Sequence, residues 1–403
     1  MQDEQVEGKS MTEGMPWKHI LRFALPVLAG SLLQQLYNTV DTIVVGRFSG
    51  EAALSAVGTT GSFAFLFLAL ATGFSAGNGV VVAQHYGAGN QKQVRNNAST
   101  GILLLLGMSV LATIAGLWVA RPAYTHLVAV EEGFLELTLQ YFRVYTLGLF
   151  FQFGYNIFSS ILRAVGDSAA TLYFLLISSV SNIVLDLLFV AGFKWGVVGA
   201  ALATDIAQAG SFAAAYVYMT RKYPMFRFKQ SKLTYDWGLA KQTLKAGFPI
   251  ALQLIIVSFG LTFIQRAVNG FQQAMTASFT VGYRVELYMN LPCSAFQTTL
   301  ATYTGQNIGA GKMDRVKKGV RQALLMSLLL TVCISALVWL LAGNIIGLFN
   351  LSEQAAMYCY SHIRTIALVN IILAMYIPLF GVFQGANHGG PLPSLQLGRW
   401  VCG

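Results

Sequence analysis

Charge is what this sequence has least of. Of its 403 residues only 10% are Asp, Glu, Lys or Arg, while 55% are hydrophobic. A soluble domain carries about 25% charged residues, so this composition cannot furnish an ordinary water-facing surface. Thiols and imidazoles are also sparse. The four cysteines (Cys293, Cys333, Cys359, Cys402) form no CxxC pair, and three lie in or beside apolar runs, where they act as small packers. The five histidines (His19, His85, His126, His362, His388) are scattered, which suggests neither a metal site nor a catalytic pair. A phosphate loop is missing as well. GAGK at 309 to 312 would need a glycine five residues before its Gly-Lys pair, where Gln306 stands, and Met313 follows instead of Ser or Thr. A tight turn accounts for it better. Residues 1 to 16 are polar and acidic and the apolar run after them is long, so no cleaved signal peptide is expected.

What the chain has instead is long apolar runs. Ten hydrophobic spans are expected, at about 22 to 46, 52 to 85, 95 to 120, 134 to 162, 169 to 191, 196 to 220, 243 to 268, 275 to 306, 320 to 348 and 355 to 383. The net charge of +10 is distributed by topology. Before the first span and in the even-numbered connections there are 18 Lys and Arg; Arg47, Arg121 and Lys194 are the 3 in the odd-numbered ones. The positive-inside rule therefore predicts a cytoplasmic N-terminus, and no nucleic-acid partner is needed to explain the charge.

The chain also repeats itself. AQHYGAGNQKQVRNNAS near residue 84 and GQNIGAGKMDRVKKGVR near 306 align at an offset of 222, with Gln84 on Gln306 and Gly87 to Gly89 on Gly309 to Gly311. FALP, ending at Pro26, aligns with AGFP, ending at Pro249. Two lobes of one plan follow, 1 to 220 and 243 to 388, with a polar, basic linker at 221 to 242. They are expected to be related by a pseudo-two-fold axis along the membrane normal. The offset places copies of spans five and six near 391 to 413 and 418 to 442. Residues 389 to 403, GGPLPSLQLGRWVCG, hold no apolar run. The expectation is an all-α polytopic membrane protein with about 10 of 12 helices, the last two missing.

Ionisable residues inside spans are costly and mark ion or substrate pathways. In the first lobe these are Asp41, Asp186 and Asp205. Counted to the nearest basic residue on the odd-numbered side, Asp41 is roughly 9 Å deep from Arg47, Asp186 roughly 12 Å from Lys194 and Thr204 roughly 15 Å from Lys194. Three helices thus bring polar groups to one level. Tyr37 and Asp41 are four apart, as are Asn182 and Asp186, so each pair shares a helix face. Such oxygens suit a small hard cation such as Na⁺, or a proton; the plainer alternative is a polar cluster that only joins helices. Asp205 adjoins Thr204 but points about 100° away, and could join the cluster, pair elsewhere or line a cavity. Glu286, Arg266, Arg284 and Arg364 in the second lobe are expected to form internal ion pairs. Pro26 and Pro249 are placed in the first turns of their helices, where a proline either bends or merely starts a helix. Gly73 and Gly77 predict close packing, and Tyr283, Tyr288 and Met289 bundle filling.

FALPVLAGSLLQQLYNTVDTIVVGRFSGEAALSAVG, the GAGN and GAGK turns, ILRAVGD at 161 to 167, SNIVLD at 181 to 186 and GVVGAALAT at 196 to 204 together resemble the multidrug and toxic compound extrusion (MATE) exporters, in their DinF-like prokaryotic branch. The resemblance covers about 18 to 388. It implies twelve helices in two six-helix lobes around a V-shaped cavity, and export of cationic, amphipathic compounds driven by entry of H⁺ or Na⁺. Carried over to matching positions, it implies Asp41 as the ion-linked acid, Pro26 as the bending proline, and Asn182, Asp186 and Thr204 as the polar cluster, with Tyr37 nearby and Tyr141 as a further candidate. No cofactor beyond the coupling ion, no catalysis and no metal beyond Na⁺ at that cluster are expected. The chain is expected to be a monomer among membrane lipids, multi-pass in a bacterial inner membrane. Two alternatives stand beside antiport: flipping of a lipid-linked precursor, or a truncated chain that does not transport. Asp205 and the missing helices depart from the family pattern.

Overall fold

The computed structural model describes residues 10–127, 130, 132–227, 233–349 and 351–386. The tail from 389 to 403, part of the linker (228–232), and Lys9, His388 and Cys402 lie outside the described residues. Among the described residues eleven α-helices follow one another: α1 Pro16–Gly50, α2 Ala52–Gly87, α3 Gln91–Pro122, α4 Glu132–Leu147, α5 Leu149–Ala164, α6 Ser168–Asp186, α7 Gly196–Lys222, α8 Trp237–Asn269, α9 Gln273–Gly309, α10 Met313–Gly347 and α11 Glu353–Ala386. In a bilayer every backbone polar group must be satisfied within the segment, and only helices or closed barrels achieve this.

Among the described residues, eight helices are long and apolar enough to cross a membrane. The other two expected spans fall short for identifiable reasons. The fourth is split at Gly148 into α4 and α5, of 16 residues each. The eighth, α9, is long but studded with Thr, Gln, Arg284 and Glu286. Two corrections concern proline. α1 starts at Pro16 and α8 at Trp237, so Pro26 and Pro249 stand well inside their helices, not in the first turn. The break between α1 and α2 is at Gly50, whose φ of 86° is a left-handed value open to glycine; α1 itself runs helically through Pro26. The connection between the halves is also shorter than expected, because α7 persists to Lys222 and α8 begins at Trp237.

The two halves interlock at the end that carries the GAGN and GAGK turns, hereafter the basic end. There Ile20, Phe23 and Ala24 of α1 are buried with Phe296, Leu300 and Tyr303 of α9. In return, α8 lies on α2: a side-chain carbon on Gly73 would come within 2.5 Å of the Ala251 backbone, and one on Gly77 would strike Gly247. Asn78 of α2 donates to Asn97 Oδ1 of α3 at 3.0 Å and to Thr243 Oγ1 of α8 at 3.1 Å. At the N-cap of α6, Asp167 Oδ2 accepts from Lys222 Nζ and Tyr223 Oη at 2.8 Å and from Tyr218 Oη at 2.9 Å. Burial pushes this carboxyl up, but the Lys222 ammonium and the two phenols outweigh burial and hold it below the usual carboxylate range.

Candidate functional site

The acids of the first half meet. Asp41, half-buried on α1, and Asp186, 0% exposed at the end of α6, face each other within hydrogen-bonding reach. Two carboxylates are acceptors only. No donor among the described residues reaches Asp41 Oδ1 or either oxygen of Asp186. Four residues back on α6, Asn182 is 3% exposed; its Nδ2 donates to Thr204 Oγ1 of α7 at 3.4 Å, and its Oδ1 is buried without a partner. Four buried oxygens without a donor, the half-buried Thr204 hydroxyl and one amide thus converge from α1, α6 and α7.

The backbone around Asp186 is unusual. From Leu187 to Gly192 the chain continues as a π-helix, a local widening that recurs at functional sites. Beyond it an apolar plug of Val44, Val45, Val190, Val197, Ala200 and Ala201 closes the level between the acids and Arg47. Tyr141, 8% exposed on α4, lies where Asp41, Asp186 and Asp205 all act on it electrostatically, and its ring stacks with that of Tyr145 at 6.3 Å. Tyr37 sits beside Asp41 and the Gln34 side chain.

Asp205 takes a different place. Its carboxyl rests against Gly148 at the α4–α5 break, where any side-chain carbon would overlap it. It touches neither Asn182 nor the facing acids by any hydrogen bond found among the described residues, in keeping with the 100° step from Thr204. The expected ion pairs of the second half are also absent among the described residues. Arg284 and Glu286, two apart, project to opposite sides of α9; Glu286 lies beside the Asn290 side chain instead. The Arg364 guanidinium lies over the rings of Trp339 at 4.8 Å and Tyr360 at 4.2 Å. Gln34, Tyr145 and Tyr155 border the site and escaped the sequence reading, although Gln34 precedes Tyr37 by three residues and Tyr145 follows Tyr141 by four, spacings that share a face.

A family model described as MatE matches the chain twice, at residues 26–188 and 249–391. Among relatives, the probable multidrug resistance protein YpnP of Bacillus subtilis is 26% identical over 95% of this chain and 85% of its own length. The probable multidrug resistance protein NorM of Thermotoga maritima is 26% identical over 93% and 81%. A MATE family transporter solved in an outward-facing conformation superposes with a TM-score of 0.88, at 25% identity over 96% of this chain and 86% of that one.

Proposed function

We propose that this chain, which belongs to the MatE family of transporters and is a multi-pass membrane protein whose relatives are multidrug resistance proteins, is a secondary active antiporter that exports cationic, amphipathic compounds in exchange for H⁺ or Na⁺, with no chemical step of its own. The observation that carries this reading is the Asp41–Asp186 pair. Two facing carboxylates repel each other, and a proton or a Na⁺ between them supplies what both lack. Asn182 Oδ1 and Thr204 Oγ1 add neutral oxygens, and Tyr37 and Tyr141 flank the pair.

A cationic substrate competes for the same negative charge. Cation binding favours one conformation and substrate binding the other, so entry of one releases the other. Pro26 supports a hinge role, because its missing N–H leaves the Arg22 carbonyl without its helical partner and allows α1 to bend. The Lys and Arg distribution supports a cytoplasmic basic end, and closure of the halves at that end matches an outward-facing state. The test is dye efflux from a pump-deficient bacterium. Asp41→Asn and Asp186→Asn are expected to abolish efflux; unchanged efflux in both would remove the pair from the mechanism.

A further inference from the structure

We infer that Gln84 and Gln306 are positioning residues of the transport cycle: a reciprocal clasp that holds the two halves shut at the basic end. Gln84 of α2 is 7% exposed, and its Nε2 donates across the interface to the carbonyl of Gly385 in α11 at 2.9 Å. Gln306 of α9 is 0% exposed, and its Nε2 donates the other way to the carbonyl of Ala164, the last residue of α5, at 2.7 Å. The two glutamines are one repeat apart, as are their acceptors to within one residue. The backbones interlock in the same reciprocal fashion: Gly87 seats on the Gln306 carbonyl and Gly309 on the Gln84 carbonyl, and a side-chain carbon at either would collide.

A third element bolts the clasp. Gln306 Oε1 accepts from Met11 N at 2.8 Å, so one carboxamide ties the N-terminal segment, its own half and the opposite half together. Residues 10–14 are gripped through their backbone. Arg315 Nε and Nη2 donate to the Met11 carbonyl at 3.2 and 3.1 Å, its Nη1 donates to the Gly14 carbonyl at 2.7 Å, and Lys312 Nζ donates to the Thr12 carbonyl at 3.1 Å. Met11 itself is only 2% exposed. The segment before α8 docks on the other half in a similar way, with Thr234 N on Ser99 Oγ at 2.8 Å and Asp236 N on Thr100 Oγ1 at 3.1 Å.

The physical consequence is a two-state closure. While the halves touch, the Nε2 of each buried carboxamide donates to a carbonyl of the far half. If they part by a few ångströms, two donors and two carbonyls lose their partners together unless water enters. The closed form is therefore held as a unit, and opening requires a wetted vestibule at this end.

The test places spin labels at Lys92→Cys and Asp314→Cys, exposed positions one repeat apart, in a chain with Cys333 and Cys402 replaced by Ala. Wild-type clasp residues are expected to give one short distance. Gln84→Ala with Gln306→Ala is expected to add a longer distance, raising the open-to-closed ratio about 30-fold. Gln306→Glu, which keeps an acceptor for Met11 but loses the donor to Ala164, is expected to open the chain like Gln306→Ala. Arg315→Ala, which frees only the N-terminal segment, shifts the ratio about 3-fold. An unchanged short distance in the Gln306 variants, with only a lower melting temperature, would reduce both glutamines to packing and overturn the clasp. The readout is independent of whether Asp41 and Asp186 bind a cation, so it stands or falls apart from the antiport reading.

Discussion

Pro26 and Pro249 occupy equivalent points of α1 and α8, but fifteen residues further on α1 has Asp41 and α8 has Ile264. Four residues before each, Tyr37 has Gly260 as its counterpart. Beyond Pro249, α8 is greasy and open, with Ile256, Phe259 and Phe263 at least 60% exposed. The halves thus agree at the basic end, where Gln84 and Gln306 mirror each other, and disagree where the titratable groups sit. Contacts between halves constrain both copies at once, because each copy is the other's partner. The acid cluster is internal to one half and exempt from that constraint, so α1 carries Asp41 facing Asp186 while α8 carries Ile264 in a mostly apolar stretch.

The largest effect expected from breaking this asymmetry is the loss of efflux in Asp41→Asn or Asp186→Asn, by at least about tenfold, with the double variant no worse than either single one. Dye efflux rates measure it; two additive losses would mean two independent sites. Grafting the acid onto the other copy, Ile264→Asp, is expected to create no second site and to destabilise the chain by about 3 kcal/mol, read as a lowered melting temperature in detergent. At the basic end the copies should respond alike. Gly87→Ala and Gly309→Ala each force a carbon into the opposite half's backbone and should each cost about 2 kcal/mol; a large difference between them would break the mirror.

The smallest effect is pH-dependent. Asp167 is held below the usual carboxylate range by Lys222, Tyr223 and Tyr218, so its stabilisation is present above the pKa of the unfolded carboxyl, about 3.9, and is lost as pH falls through the lower folded value. Asp167→Asn is therefore expected to lower stability by about 1.5 kcal/mol at pH 7, and the gap from wild type should close in strong acid. Melting curves at pH 7 and pH 3 check this.

Much of the site was legible because depth is linear in sequence. Counting at about 1.5 Å per residue put Asp41, Asp186 and Thr204 at one level, and the fold brings Asp41 to Asp186 and Asn182 to Thr204. Rotation about each helix axis was less legible. In helices apolar on nearly every face, no stripe says which side turns inward, so Asp205 against Gly148 and Arg364 between Trp339 and Tyr360 had to come from packing. The repeat aligned Gln84 with Gln306, but nothing in the residues told that they reach across to each other.

The central claim is that substrate and cation compete for the Asp41–Asp186 pair. Its most direct test is cation release from purified protein on addition of a cationic dye, followed with a pH indicator in weak buffer and, separately, with a Na⁺-selective electrode. The account predicts about one H⁺ or Na⁺ released per chain as dye binds, and none from the Asp41→Asn, Asp186→Asn double variant. Equal release from the double variant would contradict it.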